Sequence, residues 1–267
     1  MPKQILLTND DGITSPGLWA AAEALSTLGF VHVAAPRDQF SGAGRSLPST
    51  SDGLIRIQEM MVNSQLWKVH AVGGTPAQAV QHAILEILPQ QPDLVVSGIN
   101  YGENVGSGVT ISGTVGAAME AAAFGIPALA ISLEVEFQHH FSLSDEVNFA
   151  PAAYFTAYFA RLAIEQPFPP DVDVLKIDVP AAATSKTPWK LTRVSRLRYF
   201  NPAPPQRSSW DVPGRVGYLA GEGHERDAQD TDVYALRVDR MVSVTPLSLD
   251  LTSRIDLTDY EQKLRSE

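Results

Sequence analysis

Residues 4–36 read QILLTNDDGITSPGLWAAAEALSTLGFVHVAAP, and the order of patterns within them decides the fold. QILLTN (4–9) is a short apolar run without alternation, the pattern of a strand buried on both faces. Leu18, Ala21, Ala22, Leu25 and Leu28 then recur at helical spacing, and Gly29 supplies the stop. FVHVAAP (30–36) is a second apolar run. Strand, helix and strand in this order predict two parallel strands joined by a right-handed crossover. Between the first strand and the helix stand Asn9, Asp10, Asp11 and Gly12. Adjacent carboxylates repel, so a fixed pair calls for positive charge beside it. A plain turn, with an aspartate capping the helix, is the competing reading.

The same alternation continues outward. Strands are expected at 54–60, 65–72, 93–100 (DLVVSGIN, the strongest buried run), 126–133 and 174–180. Helices are expected from Thr75 to Leu88 with Pro76 in the first turn, over TVGAAMEAAAF, and over 145–165. The texture changes after residue 185. WKLTRVSRLRYF alternates like a half-exposed strand, with Lys190, Arg196 and Arg198 on one face. VYALRVDRMVSVTPLSLDL offers two more strands, and 255–265 a closing helix. The fold class is therefore α/β: a Rossmann-like, doubly wound, mostly parallel sheet in residues 1–185, with a C-terminal β extension in 186–267 suited to assembly.

Composition narrows the chemistry. The 267 residues are 44% hydrophobic, enough to bury a large core, and carry a net charge of -10. An acidic surface disfavours a nucleic-acid polymer as partner. The absence of cysteine removes disulfides and thiolate metal sites. Neither a signal-peptide pattern nor an apolar run of ~20 residues is present. The expectation is a cytoplasmic protein without a membrane partner. The triphosphate, dinucleotide and serine-hydrolase motifs are missing. His139 and His140 are adjacent, which suits a solvated loop better than a metal site.

In open α/β sheets, ligands sit beyond the carboxyl ends of the parallel strands. Asp10 and Asp11 end the first such strand, QFSGAGRS follows the second, and Asn100 ends DLVVSGIN. Carboxylates, a hydroxyl and an amide oxygen are hard ligands, suited to magnesium, manganese or calcium. A divalent cation would relieve the repulsion between the two aspartates. The segment SGTVGAAME (112–120) places Ser112 as a helix cap with Gly113 and Thr114 in the first turn. Such an end suits phosphate, although an ordinary capped helix has the same sequence.

Several segments together resemble the SurE (survival protein E) family of metal-dependent nucleotidases: ILLTNDDGITSPGL, VAAPRDQFSGAGRSL, GGTPAQAV, PDLVVSGINYGENVG, SGTVGAAMEAAAFGIPALAIS and TDVYALRVDRMVSVTPLSLDLT. They keep the family's order over most of the first 134 residues and the C-terminal strands. The resemblance implies hydrolysis of nucleoside 5′- and 3′-monophosphates, with polyphosphate as a secondary substrate. It implies one divalent metal ion per subunit, Mg²⁺ or Mn²⁺, and a homodimer or homotetramer exchanging the C-terminal extension. The family's metal ligands fall on Asp10, Asp11, Ser41 and Asn100, and its phosphate contacts on Asn104, Ser112, Gly113 and Thr114. Two positions depart from the family pattern. Gln78 stands where an aspartate is usual and Ile111 where an aromatic residue is frequent, which bears on substrate preference more than on reaction class.

With that ligand set, the expected chemistry is metal-assisted phosphomonoester hydrolysis, with Asp10 or Asp11 accepting a proton from water. A receiver-like regulator also places an acidic pair after its first strand. It needs an aspartate where this chain has Asn100, and it is less than half as long. A nucleotide sensor that kept the fold and lost the chemistry is the remaining alternative.

Overall fold

The first crossover folds as its sequence predicts: β1 (Gln4–Thr8), α1 (Pro16–Leu25) and β2 (Phe30–Pro36). The computed structural model describes residues 2–136, 139, 140, 144, 146–221 and 223–266. β3 (Ile55–Val62) and β4 (Gln65–Val72) follow, then α2 (Pro76–His82), β5 (Leu94–Tyr101), α3 (Gly113–Ala123), β6 (Ala128–Leu133), α4 (Ala150–Glu165) and β7 (Val174–Val179). The expected helix over 145–165 would begin on residue 145, which lies outside the described residues. Thr75 caps α2 through a reciprocal box with Gln78, and a π-helical turn, Ala83–Ile87, carries the chain onward to Leu88.

Nine strands form one sheet, in the order β3-β4-β2-β1-β5-β6-β7-β11-β8, where β8 is Trp189–Leu191 and β11 is Val242–Leu247. The pairings from β4 through β7 are all parallel. Period-two geometry divides each central strand between two cores. Ile5, Leu7, Leu94, Val96, Leu129 and Ile131 face one apolar cluster with α1 and α4. Leu6, Val95, Ala128 and Ala130 face the other, with α2 and α3. A strand covered on both faces has no polar side to present, hence the unbroken apolar runs.

The chain after residue 185 differs in detail from its sequence pattern. VYALRVDRMVSVTPLSLDL holds a helix, α5 (Asp232–Arg237), and only one strand, β11. Thr231 accepts the Tyr234 N–H at 3.3 Å and nucleates that helix, overriding the alternation. WKLTRVSRLRYF is not one strand either. β8 ends at Leu191, and β9 (Phe200–Ala203) pairs with β10 (Gly217–Ala220) in a separate hairpin. Lys190, Arg196 and Arg198 therefore share no strand face. Lys190 instead bonds Asp239 at 2.5 Å and the Gln229 carbonyl at 2.9 Å. α6 (Leu257–Arg265) closes the chain. Among the described residues, no helix is long and apolar enough to cross a membrane.

Candidate active site

The strand order reverses between β1 and β5: the chain runs outward through β2 in one direction and through β6 and β7 in the other. A crevice opens at the carboxyl ends of strands at such a point. Here it is a cleft of about 540 Å³, within the range of small-molecule sites. Asp10, Asp11, Ser41, Asn100, Asn104 and Ser112 all line it.

Local structure explains how each arrives. Asn9 closes the turn after β1, its side chain bonding both the N–H and the carbonyl of Gly12 at 3.2 and 3.0 Å. NDDG is thus a turn, and that turn presents both aspartates. Asp10 is 6% and Asp11 3% exposed. Thr114 donates its hydroxyl to Asp10 Oδ1 at 2.7 Å. Asp11 accepts Gln39 Nε2 at 3.0 Å and the Tyr101 N–H at 3.1 Å. The pairing of β5 with β6 shifts register between Ser97 and Asn100, and such an irregularity re-aims the residues that follow it. Asn100 donates its amide to the Gly102 carbonyl at 2.7 Å, so the amide oxygen is the atom it could offer a cation.

The electrostatics are unfavourable without a counter-charge. Among the described residues no cationic side chain pairs with either aspartate. Burial pushes the Asp10 carboxyl up to about 6. Burial, and then the charge of Asp10, push Asp11 up to about 8. Among the described residues no three His, Cys, Asp or Glu side chains cluster, so Asn100 and Ser41 would have to complete any ligand set. The donors fit a hard divalent cation: two buried unpaired carboxylates, an amide oxygen and a hydroxyl on one cleft.

Ser112 caps α3 as its sequence predicts, accepting the Val115 N–H at 3.1 Å. Gly113 and Thr114 stand behind Asp10 rather than on the cleft wall. Thr114 is fully buried, with its hydroxyl committed to Asp10. A Cβ on Gly113 would fall 2.7 Å from that of Asp10, so the helix end packs directly on the aspartate. Both residues support Asp10, a place the capping pattern alone does not disclose.

The family model described as Survival protein SurE matches residues 5–201. The chain belongs to the SurE family. A Thermococcus gammatolerans relative named 5′-nucleotidase SurE is 40% identical over 265 residues, covering 99% of this chain and 97% of its own length. A relative of the same name from Archaeoglobus fulgidus is 42% identical over 260 residues, covering 97% and 96%. The crystal structure of the SurE protein from Aquifex aeolicus matches with a TM-score of 0.77 at 31% identity, over 98% of this chain and 99% of that one.

Within this SurE chain, Gln78 acts away from the cleft. It accepts the Ser51 hydroxyl at 2.6 Å and donates to the Pro48 carbonyl at 2.9 Å, tying the 37–53 loop to α2. That loop is also seated on α3, where a Cβ on Gly116 would lie 2.2 Å from the Gly44 carbonyl oxygen. Ile111 is 62% exposed at the cleft mouth. His140 is buried rather than solvated. It lines the cleft, and its Nδ1 shares a hydrogen bond with the Tyr218 hydroxyl at 3.1 Å. Phe200, Tyr218, Arg198 and Glu103 join it there. Glu103 accepts the Tyr199 hydroxyl at 2.6 Å, and burial pushes its carboxyl up to about 7. Sequence reasoning assigned none of these to the site: His140 reads as a solvated loop residue and Arg198 as part of an exposed strand face. The aromatic residues of the 200–218 hairpin were a visible signal, but nothing in the sequence placed them in the cleft with Asp10, Asp11 and Asn100.

Proposed function

We propose that this chain hydrolyses phosphomonoesters, with nucleoside 5′- and 3′-monophosphates as principal substrates and short polyphosphate as a secondary one. The observation that carries the reading is the pair of adjacent, buried, unpaired carboxylates, Asp10 and Asp11, sharing the switch-point cleft with Asn100 and Ser41. The relatives named 5′-nucleotidase, matching over nearly the whole chain, support the same reaction class.

Asp10, Asp11, Asn100 and Ser41 would hold one Mg²⁺ or Mn²⁺ per subunit. When bound, that ion would supply Lewis-acid polarisation of the phosphoryl group and a water of lowered pKa. Asp10 or Asp11 accepts the proton of the attacking water. Thr114 fixes Asp10, while Gln39 and the Tyr101 N–H fix Asp11. Such fixed partners limit reorganisation during the reaction. Asn104 and Ser112, on opposite ends of the loop that rims the cleft, meet the phosphoryl oxygens. Gly113 and Thr114 set the position of the helix end behind them. Arg198 adds positive charge on the wall.

Beyond the phosphate, the substrate meets aromatic and apolar side chains. Phe200 and Tyr218 pack edge to face with centroids 5.2 Å apart, and His140 stacks on Tyr218 at 6.2 Å. Stacking tolerates every base, because every base has a π-face. Purine and pyrimidine substrates should therefore fall within roughly a hundredfold of one another in kcat/KM, the regime of apolar contacts. Phosphate release from AMP, GMP, CMP and UMP, with and without added Mn²⁺, tests reaction class and breadth together. Release from one nucleotide alone would reveal a base-reading site. No release from any would refute the phosphomonoesterase reading.

Assembly as a homodimer or homotetramer through residues 186–267 belongs to the same proposal. Supporting it, Trp210 is 94% exposed, and Leu257, Tyr260 and Leu264 of α6 are 60%, 50% and 63% exposed. β11 pairs with β7 inside the main sheet, so cutting at residue 185 would open that sheet. A chain ending at residue 250 loses only the segment holding α6, a helix without buried residues. Light scattering should give a dimer or tetramer mass for the full chain and a lower mass for the shortened one. A monomeric full-length chain at micromolar concentration would refute assembly.

A further inference from the structure

Three charged side chains lie sealed behind the cleft wall. Lys176 and Asp178 sit on β7 and Asp232 at the start of α5, and each is 0% exposed. Lys176 Nζ donates to Asp178 Oδ2 and lies 3.1 Å from Asp232 Oδ2. Each carboxylate also grips the backbone of the loop between Asn100 and Ser112. Asp178 Oδ1 accepts the Asn104 N–H at 2.8 Å, and Asp232 Oδ2 accepts the Gly106 N–H at 3.1 Å. Asp232 Oδ1 takes the N–H groups of Ser195 at 2.9 Å and Val233 at 2.8 Å. The side chain of Asn104 is held separately, its amide donating to Ser132 Oγ at 2.8 Å and to Thr114 Oγ1 at 3.4 Å.

Stability alone is a poor reason for this arrangement. Burying charges costs several kcal/mol per ion, and apolar replacements of such clusters are often neutral or stabilising. What a buried charged bridge does supply is fixed geometry: hydrogen bonds to charged acceptors are shorter and roughly twice as strong as neutral ones. Here the two backbone donors it fixes flank Val105, on the loop that carries Asn104 into the cleft. Burial alone would lower the Lys176 ammonium, but the two carboxylates raise it on balance, while burial outweighs Lys176 at Asp178 and raises that carboxyl. With all three groups ionised the bridge would carry a single net negative charge, and four backbone N–H groups point at its carboxylates.

We propose that Lys176, Asp178 and Asp232 form a positioning triad that clamps the 101–111 loop and sets Asn104 at the geometry the phosphoryl group requires. The proposal rests on the reading of the cleft as a phosphomonoesterase site. The three residues touch neither the substrate nor the cation ligands; they act through the loop.

Two variants of the full-length chain test it. Asp178→Asn keeps an oxygen for the Asn104 N–H and removes the charged link. Lys176→Met with Asp178→Asn removes the link and restores the original net charge. In both, kcat per folded molecule should fall by about 10- to 100-fold, the effect expected of a misplacement near 1 Å. KM should change far less, and the dissociation constant for Mn²⁺ should stay unchanged, because the ligands are untouched. A thermal scan gives the folded fraction. Wild-type kcat in either folded variant would overturn the triad, as would failure of both to fold, which would assign the charges to stability alone. Absence of phosphate release by the parent chain would instead defeat the reading of the cleft, a distinguishable result.

Discussion

Replacing Asp11 with Asn should remove most turnover and leave the fold intact, and Asp10→Asn should do the same. Asparagine has nearly the same shape as aspartate: at position 10 its oxygen still accepts the Thr114 hydroxyl, and at position 11 it keeps the acceptor for the Tyr101 N–H while giving up the one that faces Gln39. It lacks the charge that holds a cation, and it cannot accept the proton of the attacking water. The loss of general-base action alone is worth about 10²–10⁴ in rate, and weakened cation binding adds to it. The melting temperature should not fall. Ionising Asp11 is disfavoured by burial and by Asp10, so a neutral group there relieves strain on the folded state. Steady-state kinetics beside a thermal scan check both halves. Turnover within about threefold of the parent, far below the general-base range, would make the carboxylate only a turn residue.

Removing divalent cations should be equally severe. After exhaustive dialysis against EDTA the chain should release no phosphate from AMP, and Mn²⁺ or Mg²⁺ should restore the activity. Full activity in the dialysed protein would defeat the proposed cation site. The dialysed protein should also carry a signature in its stability. The folded-state values, about 6 for Asp10 and about 8 for Asp11, lie above the ordinary 3.8. Between 3.8 and about 8 the folded state therefore binds more protons than the unfolded one, and stability falls as pH rises. This contribution is fully present below 3.8 and is lost once pH passes about 8. Melting curves of the EDTA-treated chain should show the decline over that window. Asp11→Asn should make it shallower and end it near 6, the Asp10 value, and saturating Mn²⁺ should reduce it by replacing protons as the counter-charge. An identical pH profile for parent and variant would contradict the assigned burial effect.

The sequence by itself determined the doubly wound core. QILLTN, FVHVAAP, DLVVSGIN and IPALAISL are apolar on both faces, and only a sheet covered on both sides accepts such strands. It also determined that Asp10, Asp11 and Asn100 would meet, because they end strands of one parallel sheet and carboxyl ends share an edge. The Ser112 cap was legible for a local reason: a cap is a contact between residues three positions apart. Tertiary structure alone decided the rest. That Gly113 and Thr114 stand behind Asp10 depends on how α3 docks across more than a hundred positions of sequence. That TDVYAL is a helix depends on Thr231 and a buried Asp232, which outweigh a strand-like alternation. The aromatic wall of His140, Phe200 and Tyr218, and the Lys176–Asp178–Asp232 bridge, join segments whose spacing carries no periodic signal. Periodicity reports which face of an element is buried; it does not report which distant polar group waits on the other side, because that partner is chosen by packing and charge balance after the elements have met.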